Sequence, residues 1–139
     1  DPSLGEPIMS TQTVMRYFAA FNTGDVAGML AELTENVAHH VNEGQVRRGK
    51  ARFAGFCEHM NRCYREELHD LVFMHDPSGM RVAAEYMVHG TYLETDEGLP
   101  DANGQTYVLP AGSFFTIEAG KIARVTTYYN LTDWVRQVS

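Results

Sequence analysis

The sequence predicts an α+β domain, and three observations carry that prediction. Helical periodicity governs the first third of the chain, and alternation of period two governs most of the remainder. No glycine-rich phosphate loop or H-E-x-x-H segment points to another architecture. At 139 residues the chain suits one domain and is long enough to bury about two thirds of its unfolded surface.

Residues 1–9 carry two prolines and a glycine before any period is established, so they read as a flexible arm, with the domain over 10–139. Val14, Tyr17, Phe18 and Phe21 then recur at three and four, a helical stripe that Ser10 or Thr11 can cap. Asn22-Thr23-Gly24-Asp25 ends it, and Asp25 caps a second short helix presenting Met29, Leu30 and Leu33. Val37, His39 and Val41 alternate with Ala38, His40 and Asn42, a short strand turned by Asn42-Glu43-Gly44. Gly49 precedes a third helix with Phe53, Phe56, Cys57, Met60 and Tyr64 on its apolar face.

After about Arg65 the period drops to two, with Leu68, Asp70, Val72 and Met74 on one strand face and His69, Leu71, Phe73 and His75 on the other. Asp76-Pro77-Ser78-Gly79 is a turn, and Arg81 to Leu93 is a long alternating strand. Glu94 to Gln105 holds four acids and is long for a hairpin loop, so it reads as a lid, a partner contact or a flap. Tyr107–Leu109, Gly112–Glu118 and Ile122–Asn130 supply the last strands, and Leu131–Val138 a closing helical segment. Three N-terminal helices across the mouth of a strongly curved, mostly antiparallel sheet would make a cone-shaped barrel with one hollow end. Small molecules favour such mouths.

Composition excludes several partners. A net charge of −7, from 11 basic and 18 acidic residues, opposes nucleic acid and anionic lipid. No apolar run reaches the ~20 residues that cross a bilayer, so a cytoplasmic protein without membrane contact is expected. Cys57 and Cys63 show neither a redox nor a zinc spacing and read as packed thiols.

The segments MRYFAAFNTGD, MLAELTENV and GKIARVTTYYN resemble the nuclear transport factor 2-like superfamily, and more narrowly its SnoaL-like and ketosteroid-isomerase-related proteins. NRCYREELHD, VHGTYLETDEGLP and GQTYVLPAGSFF are similar to a ketosteroid-isomerase-related subgroup, so the resemblance spans residues 10–138. It implies the cone fold, a homodimer formed through the outer sheet face, and one of several chemistries or plain ligand binding. Tyr17 matches the oxyanion-donating tyrosine of the steroid isomerases, and their general base falls on His40 or Val41. Where subgroup members read HDxN this chain reads His39-His40-Val41-Asn42, and the second acid of the isomerases falls near Gly112 or Ser113, neither of them acidic.

Neighbouring strand residues face opposite ways, so His39 and His40 cannot both enter one pocket, which argues against a metal held by both rings. An imidazole of ordinary pKa exchanges protons near neutrality, so His40 is the expected base, with Asn42 on its face to orient substrate. Glu85, Met87 and His89 share a strand face, and Glu85 and His89 are expected to join the catalytic network. Phe56, Met60, Met87, Tyr128 and Asn130 complete the expected lining. The expectation is a cofactor-free, metal-free acid/base enzyme of isomerase or cyclase type acting on a small, mostly apolar carbonyl compound. The alternatives are a non-catalytic binding or dimerisation module and an epoxide hydrolase, whose Asp-Arg-Asp network could draw only on Asp70, Arg81 and Arg124.

Overall fold

Alternation decides which side chains the sheet buries. In strand β4 (Arg81–Tyr92) of the computed structural model, Val82, Ala84, Tyr86, Val88, Gly90 and Tyr92 are buried, while Arg81, Glu85 and His89 are exposed. β4 pairs antiparallel with β3 (Tyr64–His75) on one side and β5 (Thr106–Glu118) on the other. β6 (Lys121–Tyr129) follows β5 across a hairpin and pairs in parallel with β1 (Leu33–Val41), which carries the two-residue strand β2 (Arg47–Arg48). The structure describes residues 7–139, so most of the arm expected over 1–9 lies outside the described residues.

The expected cone-shaped barrel is overturned. The sheet runs β2-β1-β6-β5-β4-β3, is mixed, and is open and not strongly curved. Closure would require β2 and β3 to pair, and two residues of β2 offer too few hydrogen bonds for that. The helices are not an N-terminal trio either. α1 (Met9–Asn22) and α2 (Val26–Ala31) precede β1, α3 (Lys50–Cys63) follows β2, and α4 (Leu131–Val138) ends the chain. None is long and apolar enough to cross a membrane.

Local chemistry sets the boundaries. Asp25 accepts the Gly28 N–H at 2.9 Å and starts α2. α1 instead begins after Ile8 without a side-chain cap, and Ser10 and Thr11 lie buried in its first turn. Asn42 and Glu43, at φ 48° and 61°, form the tight turn closed by the Gly44 N–H on Val41 O at 2.9 Å.

A bulge reverses half of the expected β3 faces. Asp70 sits at φ 57°, and the register with β4 slips between His69 and Val72. Leu68 therefore faces the helices, but beyond the bulge Leu71 and Phe73 pack on the core while Val72 and Met74 are exposed. Asn22, at the end of α1, bonds both the N–H and the C=O of Leu68 and so joins helix to strand.

The core has two ends. Val14, Tyr17 and Phe18 of α1 pack with Phe53, Phe115 and Val125 at one end. At the other, Trp134 of α4 meets Tyr64, Tyr92 and Tyr107 edge-on at 5.0–5.9 Å. Tyr107 lies across Gly90, its register partner, and a Cβ at Gly90 would fall inside the Tyr107 ring. Gly90→Ala should cost about 1–3 kcal/mol by overpacking, whereas Gly55→Ala in α3 has open space and should add about 0.5–1 kcal/mol through helix propensity. Denaturant unfolding of both variants checks the opposite signs.

Candidate functional site

The helix-facing side of the sheet carries a polar group among aromatic rings. Glu66 of β3 aligns with Gly90 of β4, which aligns with Tyr107 of β5. Because Gly90 has no side chain, the Tyr107 ring crosses β4, and its hydroxyl donates to Glu66 Oε2 at 2.5 Å. Burial raises the Glu66 carboxyl above its ordinary range, and the Tyr107 hydrogen bond only partly offsets this. Burial likewise raises the phenols of Tyr86, Tyr107 and Tyr129, with the Glu66 charge adding to each. Further along the same face, Tyr86 Oη, Ser113 Oγ and Thr127 Oγ1 form a hydrogen-bonded chain of two 2.8 Å links. Three phenols that keep their protons therefore share a wall with one reluctant carboxylate. Such a set can take a proton and stabilise an oxyanion.

His39 is the interior histidine. Its ring packs against Phe53 at 4.9 Å and Phe56 at 4.5 Å, both on α3. Arg47 stacks over the same Phe56 ring at 5.1 Å. Burial, then the charges of Arg47 and His40, lower the His39 pKa from 6.5 to about 4. Nδ1 of His39 is buried and has no hydrogen-bond partner among the described residues. Tyr17 is 6% exposed and lies between Phe18, Phe53 and Phe115, with its phenol raised first by burial and then by Cys57 and Tyr86.

Several expected site residues lie elsewhere. His40 pairs with Thr126 and shares its outer face, opposite His39, because successive residues alternate. Asn42 accepts the Tyr129 N–H at 2.8 Å and ties β1 to β6. Glu85, Met87 and His89 are on the outer face of β4, opposite Tyr86 and Val88. Tyr128 is also outward and packs on Phe114, while Asn130 caps α4 by accepting the Asp133 N–H. Phe56 and Met60, half-buried on α3, remain beside the interior, with Phe56 against His39. Of the residues considered for an epoxide-hydrolase network, Arg124 bonds Thr116 and Thr126 on the outer face, and Asp70 is exposed at the bulge.

The outer face holds two grooves. One, of about 350 Å³, is lined by Arg65, Glu67, His69, His89 and Val108 among others, with the two histidine rings 4.2 Å apart. The second, of about 280 Å³, includes Met74, Arg81, Phe114 and Arg124. His89 thus joins His69 and Glu67, and not Tyr17.

Glu66 was not among the expected residues, although a signal for it existed. Continuing the Leu68 face of β3 back by two residues reaches Glu66 and then Tyr64. The third tyrosine, Tyr129, follows from the strand alternation that puts Tyr128 outside.

The sequence profile of the SnoaL-like domain matches residues 14–125. A crystal structure from Pseudomonas putida KT2440, named a candidate polyketide cyclase, is 61% identical and covers 96% of this chain and 100% of its own, with a TM-score of 0.93. A second so named, from Silicibacter sp. TM1040, is 62% identical over 94% of this chain and 95% of its own, at 0.92. A phenazine biosynthesis-related protein of Pseudomonas aeruginosa shares the fold at 20% identity, covering 94% of this chain and 84% of its own, at 0.79. No curated protein matches the chain.

The lowered His39 pKa fixes the sign of one pH effect. The unfolded imidazole protonates near 6.5 and the folded one near 4, so the unfolded state binds more protons between those values. Stability associated with His39 should be present above pH 6.5 and lost as pH falls toward 4, by up to about 3 kcal/mol. His39→Leu should remove that part of the slope in urea melts taken across this window. An unchanged slope would show that His39 protonates as readily in the fold as out of it.

Proposed function

The chain belongs to the SnoaL-like domain family, and on that premise we propose that it is a cyclase- or isomerase-type enzyme acting on a small, mostly apolar carbonyl compound. The observation that carries this reading is the Glu66 carboxyl, raised by burial and oriented by Tyr107 at 2.5 Å. Near-full-length relatives at 61% and 62% identity, named as candidate polyketide cyclases, support the reaction class.

In this mechanism the Glu66 carboxylate removes a proton from the carbon next to the substrate carbonyl. The electron pair moves to the carbonyl oxygen, giving an enolate, and a phenol O–H donates to that oxygen. In ring closure the enolate carbon attacks a second carbonyl, and the alkoxide so formed takes the proton from Glu66. In double-bond migration of a β,γ-unsaturated substrate the dienolate takes that proton at its γ-carbon. Burial serves the step twice, since a raised carboxyl is a stronger base and an undissociated phenol remains a donor. Tyr107 keeps the carboxyl oriented, and Tyr129 and Tyr17 are the candidate oxyanion donors. Substrate approaches Glu66 from the side on which that residue stays partly exposed. The steps use side chains alone.

For the assembly, a second copy is proposed to cover the outer sheet face, where Val72, Met74, Val108, Phe114 and Tyr128 are each 43–51% exposed. Phe114→Glu should convert a dimer to a monomer in light scattering; a dimer that survives the charge would move the interface elsewhere.

The chemistry is tested by proton exchange as well as turnover. In D₂O, the wild type should exchange the α-protons of cyclic enones or 1,3-diketones, read by NMR. Glu66→Gln should slow this at least a hundredfold with circular dichroism unchanged. The wild-type rate should rise with pH, with a midpoint above the ordinary carboxyl value of 4.5, because the folded carboxyl holds its proton longer. Exchange that is insensitive to Glu66→Gln would remove Glu66 from the mechanism.

A further inference from the structure

A second chemical cluster lies at the far end of α3, where the proposed mechanism uses none of its groups. His59 and Cys63 stand four residues apart on the last helical turn, and Asp96 reaches them from the 94–105 loop. One donor atom from each of the three lies within 4.8 Å of the others. From these residues we infer a divalent transition-metal site, of zinc type, that ties the 94–105 loop to α3.

The donor set is nitrogen, sulfur and oxygen, which suits a borderline ion such as Zn²⁺ and not Ca²⁺ or Mg²⁺. Zinc bond lengths of about 2.0–2.3 Å at tetrahedral angles put ligand atoms about 3.4–3.6 Å apart. The present spread needs only small side-chain shifts to reach that. The supporting shell is also built. Asp96 Oδ2 accepts from Tyr64 Oη at 2.6 Å, the Asp96 N–H donates to Tyr92 Oη at 2.9 Å, and Oδ1 faces His59 Nε2 at 2.9 Å. Cys63 is 2% exposed, and its carbonyl accepts the N–H groups of Leu93 and Glu94, fixing the loop's first residues against the helix end.

The proton balance is simple. Zn²⁺ replaces the thiol proton of Cys63, releasing one proton to solvent. Arg62 now donates to His59 Nδ1 at 3.2 Å, so Nε2 carries the ring proton toward Asp96. For Nε2 to bind the metal that proton moves to Nδ1, and the exposed Arg62 side chain swings into solvent. Three protein ligands leave the fourth tetrahedral position to water.

The test titrates the chelator-treated full-length protein with Co²⁺ and reads the thiolate charge-transfer band in the near ultraviolet. The expected result is one Co²⁺ per chain bound with release of one proton, then displaced by one Zn²⁺ with no further proton release. Cys63→Ser should abolish the band, and His59→Ala and Asp96→Asn should each weaken Zn²⁺ binding at least tenfold, while Cys57→Ser leaves it unchanged. Asp96→Asn changes only a loop residue, so it remains readable if Cys63→Ser fails to fold. Absence of the band in the wild type, its loss in Cys57→Ser, or Zn²⁺ binding indifferent to Asp96→Asn would overturn the site. None of these outcomes depends on Glu66, so the test is independent of the proposed reaction.

Discussion

The Tyr107–Glu66 hydrogen bond depends on a missing side chain. Three register partners, Glu66, Gly90 and Tyr107, lie side by side on adjacent strands. Two strand spacings separate the outer pair, about 9.6 Å, and a tyrosine can span that only by lying flat over the residue between. Gly90 permits this and any Cβ would forbid it. The glycine thus does three things at once. It lets the Tyr107 ring cover the centre of the sheet, brings a phenol to an acid, and offers Trp134 an edge to pack on.

The same arrangement puts stability and chemistry in opposition. A carboxyl held among aromatic rings loses hydration, and one phenolic hydrogen bond restores only part of it. His39 shows the same conflict, since its ring is buried on Phe53 and Phe56 while Nδ1 lacks a partner among the described residues. A fold selected for stability alone would replace both with apolar residues. Their presence on the helix-covered face supports the proposal that chemistry occurs there, while the outer face carries two grooves in which charged side chains stand beside apolar ones.

The 94–105 loop is not a free flap. Asp96 joins it to Tyr64 and His59, Tyr92 Oη donates to Pro100 O, and Gln105 donates to Val138 O at the end of α4. Loop, α3 and α4 therefore meet around the stacked pair Tyr64 and Tyr92, whose centroids are 5.4 Å apart. Anything that loosens Asp96 also loosens the aromatic wall next to Tyr107.

Much of this was legible in the chain itself. Periodicity separated helices from strands, Asp25 announced a cap, Asp76-Pro77-Ser78-Gly79 a turn, and the segments around Tyr17 and the last strand indicated the family. These are local properties, set by a few neighbouring residues and their preferred torsions. The face that each strand buries was not local. Alternation placed His39 opposite His40 and Glu85 opposite Tyr86, but which member of each pair met the core was decided by where α1 and α3 packed. One bulge at Asp70 reversed the faces of the rest of β3, and the short β2 left the sheet open where a closed cone was expected. The sequence by itself determined the elements, the family and the supply of acids, phenols and imidazoles. Only the tertiary structure decided that Glu66 and His39 would be the ones inside, because burial is a property of pairs of surfaces, and no strand carries the identity of the element that will cover it.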